Sequence, residues 1–503
     1  MKRSILAAIL ALAVVVPLSA CLPQASSESV PTDESVSAEL EPYYKQVLQW
    51  SSCQNGFQCA TAVAPLDWSA PEGEQIELAL IRQPATSGKP IGSLLVNPGG
   101  PGGSGFDFVA DSVEYATSDR LRSNFDVVGF DPRGVGRSSA VTCYDDPAEF
   151  ESFLYDVIPG TPGSDDWLAR TAEVRTEFGD RCLELTGPLL GTVDTPSAAR
   201  DLDMLRAALG DETLNYLGYS YGTLLGAVYA ELFPQKTGRL VLDGAVDPAA
   251  SSFDMTLAQS KGFEGAFAAY LADCIGTADC PFRGSVAEAQ QTVTRLLATL
   301  DASPLTAQDG RQLGSATMTT AIILPLYSQT TWPALSQLFT SVFAGDPAYA
   351  FQLADSYNGR DADGNFSNNQ TEAFISINCL DSRGDTSVDV LRAQAAELAE
   401  VSPVFGPQMA WDLGCAAWPV PATRERLPIV AEGSADILVI GTTNDPATPY
   451  DWAVTMADTL ERGHLVTFEG EGHTAYNKSN DCVNDVVDDF LVDGTVPASD
   501  PLC

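Results

Sequence analysis

Short apolar runs and longer amphipathic stretches alternate in two parts of the chain. The runs are mainly apolar, and the one at residues 93–96 is continuous, as is typical of strands buried on both faces of a parallel sheet. The others lie at residues 125–130, 239–244, 436–441 and 464–468. Residues 195–209 place apolar side chains at helical spacing, with Thr195 as the predicted cap and Gly210 as the stop. Strands that alternate with helices in this way predict a doubly wound, mostly parallel α/β sheet.

The middle of the chain follows a different pattern. Residues 249–425 are mainly helix-periodic and contain no run typical of a parallel strand, and the sheet pattern resumes after them. We therefore predict a mainly helical cap inserted between two sheet strands, above the carboxyl ends where open α/β sheets carry their active sites. The sheet domain is expected at 49–248 and 426–503, with a leading hairpin over 62–81 and a final helix at about 482–491.

The N-terminus has the features of an export signal. A basic start precedes an apolar segment, residues 5–16, that is shorter than the roughly 20 residues of a membrane span and suits a signal peptide over residues 1–20. Residues 18–21 resemble a bacterial lipobox, which predicts a lipid on Cys21 that anchors the protein to the outer face of the cytoplasmic membrane; an ordinary secretory signal is the alternative. Residues 21–48 are expected to form a flexible tether.

Charge narrows the range of partners. The chain has 27 Lys and Arg against 67 Asp and Glu, a formal net charge of −40. Such a surface repels nucleic acid and anionic lipid headgroups, so we expect membrane contact only through the lipid on Cys21. With two histidines and no paired C-x-x-C spacing, neither a metal site nor a cofactor is expected.

Cysteines in an exported chain point to disulfides. There are eleven, and setting Cys21 aside for lipid leaves an even number. We expect neighbours in the chain to bond, in the pairs Cys53–Cys59, Cys143–Cys182, Cys274–Cys280, Cys379–Cys415 and Cys482–Cys503.

A serine nucleophile is predicted near the middle of the chain. Residues 218–222 read Gly-Tyr-Ser-Tyr-Gly between an apolar strand and a helix, as in a nucleophile elbow, which makes Ser220 the candidate. Such a serine needs a histidine as general base. His473 lies in a glycine-rich loop directly after a strand and is favoured, whereas His464 opens that strand and is more typical of a structural residue.

The acid that orients this base should lie between serine and histidine in chain order. Asp445 follows the last strand before the histidine loop and is favoured, while Asp243, at the end of the previous strand, is the alternative. A tetrahedral intermediate also needs two N–H donors. We expect them from Tyr221, next to the serine, and from Gly100 in the glycine-rich loop after residue 97.

Two further stretches carry a family resemblance. Residues 98–102 resemble the HGGPG loop of prolyl aminopeptidases, with proline in place of the usual histidine, and residues 131–138 resemble their DQRGxGRS stretch. The Asn-Pro-Gly-Gly-Pro-Gly loop and residues 377–381 are typical of the actinobacterial tripeptidyl aminopeptidase branch of that family. The resemblance covers nearly all of residues 53–503, and it implies an α/β-hydrolase fold in which residues 249–425 are the cap.

The resemblance also implies an activity. The protein would be a serine exopeptidase that releases short peptides, such as tripeptides, from substrates with a free N-terminus, through an acyl-enzyme. Cap acids would hold the substrate amine, with Asp381 as the first candidate and Asp412 or Glu372 as alternatives. We expect a monomer in the cell envelope, in part released. An esterase or lipase would use the same triad and stays as the alternative, whereas a lipoprotein that only binds peptides is disfavoured because every triad residue is present.

Overall fold

The structure is a computed structural model that describes residues 27–385, 387–411, 413–424 and 426–503. The predicted signal peptide and Cys21 lie outside these residues. Within the described ranges, no helix combines the length and the apolar character that crossing a membrane requires.

Ten strands of the described chain form one sheet, and two more form a small separate hairpin. The strands are β1 (Ser27–Glu28), β2 (Gln49–Ser52), β3 (Gln58–Pro65), β4 (Gln75–Gln83), β5 (Ser93–Asn97), β6 (Asp126–Phe130), β7 (Leu214–Tyr219), β8 (Thr237–Asp243), β9 (Leu305–Thr306), β10 (Gln312–Leu313), β11 (Ile437–Asn444) and β12 (Gly463–Glu471). The main sheet has the order β1-β2-β3-β4-β6-β5-β7-β8-β11-β12. Its last six strands in that order run parallel, and β1 to β4 are antiparallel, so the predicted mostly parallel sheet is confirmed.

The helices of the described chain fall before, between and after these strands. The first seven are α1 (Glu41–Tyr44), α2 (Gly105–Ala116), α3 (Asp119–Asn124), α4 (Pro147–Tyr155), α5 (Asp165–Thr186), α6 (Thr195–Leu209) and α7 (Tyr221–Leu232). The next eight are α8 (Ser252–Cys274), α9 (Val286–Ala302), α10 (Ser315–Leu326), α11 (Trp332–Phe343), α12 (Ala348–Asn358), α13 (Gln370–Asp381), α14 (Val388–Val401) and α15 (Gly406–Met409). The last two are α16 (Tyr450–Thr459) and α17 (Asp481–Asp493).

Helices cover both faces of the sheet because its parallel strands are apolar on both sides. Along β11, for example, Ile437 and Val439 face one buried cluster, which includes side chains of α6, α7 and α16. Leu438 and Ile440 face another, built with α2, α3 and α17. Register places Leu438 beside Val241 of β8 and His464 of β12. This two-sided burial is why the strands appear in the sequence as unbroken apolar runs.

The helix predicted at 195–209 has the predicted bounds but a different cap. Asp194 is the N-cap and accepts from the Ser197 N–H at 2.9 Å, while Thr195 is already inside the helix. An aspartate accepts this bond as well as a threonine does, so sequence alone placed the cap one residue late. Gly210 ends the helix in the left-handed conformation, with φ of 93°.

The predicted flexible tether needs correction for residues 27–48. β1 pairs with β2, and the Thr32 N–H donates to Ala207 O at 2.9 Å. Glu34 forms ion pairs with Arg206 and Lys236, so the segment lies against the sheet domain. Its Ser, Pro and Glu content suggested a tether, but a buried arginine and a half-buried lysine supply partners that composition does not show.

Between β8 and β11 the chain forms helices α8 to α15 and the β9–β10 hairpin. The buried side chains of α8 to α12 make a separate apolar cluster, which α4 joins through Tyr155, whereas Ala373, Ile377 and Leu380 of α13 belong to the cluster of the sheet domain. The structure has five disulfides, and they are the five pairs expected from chain order. One of them, Cys379–Cys415, joins α13 to the segment before β11.

Candidate active site

Ser220 occupies the sharp turn between β7 and α7. Its φ of 55° and ψ of −125° are rare for a residue with a side chain and are typical of a nucleophile elbow. The Ser220 N–H donates to Asp243 O at 2.9 Å, which holds the turn against the end of β8. The serine side chain is thereby presented at the carboxyl edge of the sheet.

His473 and Asp445 form a direct pair at the same edge. His473 Nδ1 lies 2.9 Å from Asp445 Oδ1 and 3.0 Å from Oδ2. This contact places the imidazole proton on Nδ1 and leaves Nε2 to act as a base. Asp445 is 3% exposed, and its carboxylate accepts hydrogen bonds from the N–H groups of Ala447, Thr448 and Thr474. These bonds fix the carboxylate in position beside the imidazole.

The pair lies next to the elbow. Gly244 follows Asp243, whose carbonyl holds the Ser220 N–H, and a Cβ built on Gly244 would lie 3.3 Å from His473 Cε1. Ser220 and Thr448, which contacts both Asp445 and His473 Nδ1, also line the same cavity. The structure thus brings the three predicted triad side chains to one place.

Asp243, the alternative acid, has a different set of contacts. It is fully buried and accepts from the Ala475 N–H at 3.0 Å and the Tyr476 N–H at 2.8 Å, directly after the histidine. Burial raises the pKa of its carboxyl, and the Lys478 ammonium and these N–H donors oppose that shift. Asp243 therefore supports the loop that carries His473 rather than the imidazole itself.

The glycine-rich loop after β5 passes directly against the elbow. A Cβ on Gly99 would lie 2.8 Å from Ser220 Cβ and 3.0 Å from Tyr221 N, so a side chain there would displace the serine. Asn97 Oδ1 accepts from the Gly99 N–H at 2.9 Å and holds the start of the loop. Gly100 and Tyr221, the two predicted oxyanion donors, both line the cavity beside Ser220.

The Asp131–Ser138 stretch frames this loop instead of entering the cavity. Asp131 accepts from Ser104 Oγ and from the N–H groups of Phe106 and Arg137. Burial raises the pKa of its carboxyl, against those three hydrogen bonds. Arg133 is fully buried and pairs with Asp201 at 2.7 Å. The motif is accordingly a scaffold that fixes α2 and α6 relative to the oxyanion loop.

A cavity of about 370 Å³ opens beside Ser220. The sheet domain provides its floor, and the insertion provides most of its walls, through Met255, Thr256, Gln259, Phe374, Ile375, Asn378, Trp411 and Gly414. Arg175 and Arg426 also line it, and none of the described lining residues is acidic.

Asp381 is not among those lining residues. It is 1% exposed, and its carboxylate accepts from the Thr195 N–H at 3.0 Å and from Thr195 Oγ1. Thr195 Oγ1 in turn lies 2.6 Å from the Tyr221 hydroxyl, so Asp381 supports Tyr221, one of the two predicted oxyanion donors, through Thr195. This placement does not fit the predicted clamp on a substrate amine, because both carboxylate oxygens are already engaged.

The two alternatives to Asp381 as a clamp on the substrate amine are Glu372 and Asp412. Glu372 is also buried, and its Oε1 accepts from the N–H groups of Cys143 at 2.6 Å and Tyr144 at 3.3 Å, away from the cavity. Burial raises its pKa to about 7. Asp412 lies outside the described residues.

Two contacts of the base were not anticipated from sequence. Thr448 is three residues after Asp445, a spacing at which a hydroxyl can reach back to a carboxylate, so it could have been found. Tyr327 comes from the insertion: its carbonyl accepts from the His473 N–H at 2.8 Å, and its ring meets the imidazole edge-on at 5.4 Å. No local signal links Tyr327 to residue 473.

Comparison with known proteins gives the class and then the family. The sheet and the strained elbow define an α/β-hydrolase, and the similar proteins establish a serine hydrolase of the peptidase type. A family model described as TAP-like protein matches residues 402–503. The chain belongs to the tripeptidyl aminopeptidase-like family of α/β-hydrolase serine peptidases.

Three relatives match this chain along most of its length. Serine protease Hip1 of Mycobacterium tuberculosis (strain ATCC 25618 / H37Rv) is 37% identical over 485 residues, which cover 92% of each chain. Carboxylesterase B of the same strain is 37% identical over 471 residues, covering 90% of this chain and 89% of the relative. Tripeptidyl aminopeptidase of Streptomyces lividans is 32% identical over 483 residues, covering 91% and 86%.

Proposed function

We propose that this protein is an exported serine exopeptidase that releases short peptides from the free N-terminus of its substrates. The observation that supports it most is the His473–Asp445 pair, with Nδ1 and Oδ1 2.9 Å apart, beside the elbow that carries Ser220. A histidine held by a buried carboxylate next to a serine that lines a cavity is the arrangement that acyl transfer requires.

In the proposed mechanism, His473 Nε2 takes the proton of Ser220 as Oγ attacks the scissile carbonyl. The N–H groups of Tyr221 and Gly100 hold the negative charge that develops on the carbonyl oxygen. The imidazolium then protonates the leaving amine, the C–N bond breaks and the acyl-enzyme remains. Water, deprotonated by His473, hydrolyses the ester and frees Ser220, while Asp445 stabilises each imidazolium.

The cavity supports a short acyl portion. Its volume of about 370 Å³ is near the lower end of the range of roughly 300–1,000 Å³ found for small-molecule sites. Walls contributed by the insertion limit how far a substrate extends on that side. Because none of the described lining residues is acidic, the specificity for a free N-terminus rests on the relative named tripeptidyl aminopeptidase.

A second candidate function is ester hydrolysis. A relative named carboxylesterase B is as similar to this chain, at 37% identity, as the relative named serine protease. The same serine, histidine and acid would form the same acyl-enzyme from an ester, and only the leaving group would differ.

Tripeptidyl, prolyl and acyl-ester reporters, assayed with the unaltered protein and with Ser220→Ala, test the proposal. We expect turnover of the tripeptidyl reporter and a loss of kcat in Ser220→Ala of roughly a millionfold, since the serine, base and acid act as a unit. Ser303→Ala, an exposed serine on the insertion, is the matched control and should keep full activity. Turnover of the ester alone would contradict the peptidase, and full activity of Ser220→Ala would contradict the mechanism.

A further inference from the structure

Arginines gather beside the candidate active site. A second cavity of about 610 Å³ is lined by Arg383, Arg424 and Arg426, here called the arginine cluster. Arg426 also lines the cavity that contains Ser220, so the two spaces meet at its side chain. In a chain with a net charge of −40, three arginines lining one cavity make a local positive charge that favours an anionic ligand.

Two of these arginines have donors that the described protein does not satisfy. Arg426 Nε and Arg424 Nη1 are buried, and neither has a hydrogen-bond partner among the described residues. Arg426 Nη1 contacts Met255 Sδ at 3.1 Å, and Arg424 Nη2 reaches Pro248 O at 3.4 Å, both weak acceptors or long contacts. A buried charged donor without a partner is costly, so these groups are poised to gain one.

The arginine cluster has a single acid among the described residues that line its cavity. Asp381 lines the second cavity, but its two oxygens already accept from Thr195. Burial lowers the pKa of the Arg426 guanidinium and the charge of Arg424 lowers it further, although Asp381 and Asp247 act in the opposite direction. Arg426 therefore keeps a buried Nε without a hydrogen-bond partner among the described residues, while its side chain lines both cavities.

We propose that Arg424 and Arg426 form a carboxylate-binding subsite in the second cavity, next to the active-site cavity that Arg426 also lines, and that it selects substrates with an acidic group close to the scissile bond. Guanidinium groups bind carboxylates through paired, charge-assisted hydrogen bonds. Both arginines line the second cavity, and each keeps a donor that has no partner among the described residues. The inference rests on the proposed peptidase function, because a peptide offers carboxylates from two sources. One is an acidic side chain in the released peptide, and the other is the C-terminal carboxylate of the remainder.

Binding of peptide pairs to the Ser220→Ala protein, measured by calorimetry, tests the subsite without requiring turnover. The first pair is Ala-Ala-Glu-amide against Ala-Ala-Gln-amide, which isolates a side-chain carboxylate. The second is Ala-Ala-Gln-Ala-Ala against its C-terminal amide, which isolates a terminal carboxylate. We expect the acidic member of one pair to bind about tenfold to a hundredfold more tightly, as hydrogen bonds to charged groups suggest.

Arginine variants of the same protein assign the effect. Arg426→Met keeps an unbranched apolar stem at this position but removes the guanidinium, and it should reduce the preference to about onefold; Arg426→Lys should keep part of it. Arg295→Met, an exposed arginine on α9 that lines neither cavity, is the matched control and should change nothing. Thermal unfolding of each variant separates loss of fold from loss of binding.

Equal affinities within both pairs would overturn the subsite, and that result needs no arginine variant. A preference that survives in both Arg426→Met and Arg424→Met would overturn it as well. If no peptide binds while neutral esters are hydrolysed by the unaltered protein, the peptidase proposal fails instead. In that case the same subsite predicts faster turnover of a hemisuccinate ester than of its methylated, neutral counterpart, and equal rates would overturn it.

Discussion

Three buried aspartates near the elbow have different roles because their hydrogen-bond partners differ. Asp445 faces the imidazole, Asp243 accepts N–H groups of the loop after it, and Asp381 holds Thr195 behind the oxyanion residue. All three are acids at or near the carboxyl edge of the sheet, and chain order alone does not separate them. The direction of the neighbouring N–H donors does.

The aspartates give a direct test of these assignments. Asp445→Asn should keep most of the loop's hydrogen bonds but stabilise the wrong imidazole tautomer, lowering kcat by roughly ten-thousandfold. Asp243→Asn should leave the imidazole pair intact and mainly lower the free energy of unfolding, by about 1–3 kcal/mol, because the buried N–H groups of Ala475 and Tyr476 lose a charged acceptor. Steady-state kinetics and denaturant unfolding of both variants check this, and the reverse pattern would identify Asp243 as the acid.

Glu372 gives a pH-dependent prediction. Burial raises its pKa in the folded protein to about 7, from 4.5 when exposed. Below pH 4.5 both states are protonated; between pH 4.5 and 7 the folded state binds more protons than the unfolded state, so this carboxyl lowers stability as the pH rises. Glu372→Gln should therefore gain stability relative to the unaltered protein between pH 5 and 8, by at most about 3 kcal/mol.

Unfolding of both proteins measured at pH 5, 6, 7 and 8 checks that gain. The variant keeps an oxygen that accepts from the Cys143 and Tyr144 N–H groups, so the comparison isolates the charge. A constant difference across this range would contradict a titrating Glu372.

The role of a residue could be predicted from sequence where it depends on neighbours in the chain or on the order of the strands. Ser220 was identifiable from its elbow, and Asp445 and His473 from their places after successive strands. Tyr327 was not, since its carbonyl meets His473 only through the packing of the insertion. The expected role of Asp381 was wrong for the same reason: Thr195, far away in the chain, occupies its oxygens.

At the scale of elements, the wall of the cavity depends on α13 and the segment that follows α15. Phe374, Ile375 and Asn378 come from α13, while Trp411 and Gly414 come from the irregular segment. Irregular chain has few backbone hydrogen bonds of its own, so its position depends on tertiary links. Cys379–Cys415 is a covalent link between the two.

Removing that link should affect substrate binding more than chemistry. The Cys379→Ala/Cys415→Ala protein is expected to show a raised KM with a smaller change in kcat, because the triad lies on the sheet and the wall does not. The 36-residue separation suggests a stability loss of about 4 kcal/mol, against about 2 kcal/mol for Cys274→Ala/Cys280→Ala with its separation of 6. Kinetics of both double variants check this prediction. An unchanged KM in Cys379→Ala/Cys415→Ala would contradict it.

Elements with a clear period were predictable, and their ends less so. The run at 436–441 is now β11, Ile437–Asn444, and the helix expected at 482–491 is α17, Asp481–Asp493. Apolar periodicity locates such elements because it reflects which faces are buried. It does not register that Asp194 rather than Thr195 caps α6, since several polar residues can fill that position.

For the molecule as a whole, charge and attachment are the main questions. A net charge of −40 keeps the surface away from anionic lipid headgroups, so a covalent lipid would be the means of membrane contact. The described chain enters the fold at β1, on the sheet edge opposite β12 and the His473 loop. A lipid on Cys21, a few residues before β1, would leave the candidate active site away from the anchored end.

Replacing that cysteine separates location from activity. Cys21→Ala should move the protein from the membrane fraction to the medium, because one modified residue would provide the anchor. Its kcat/KM, per mole of protein, should equal that of the unaltered protein. Fractionation and reporter assays on both samples check this, and unchanged membrane association would contradict lipid anchoring at Cys21.

The hydrogen bond from the His473 N–H to Tyr327 O links access to the candidate active site with the reactivity of Ser220. Tyr327 closes α10, which belongs to the insertion, while His473 belongs to the sheet domain. An excursion that lifted α10 from the sheet would remove this acceptor from the loop, although Asp243 and Asp445 would keep theirs, and would loosen the alignment of the base with Ser220. In that open state Ser220 would react slowly. Bulky folded proteins could then reach the serine only while its base is misaligned.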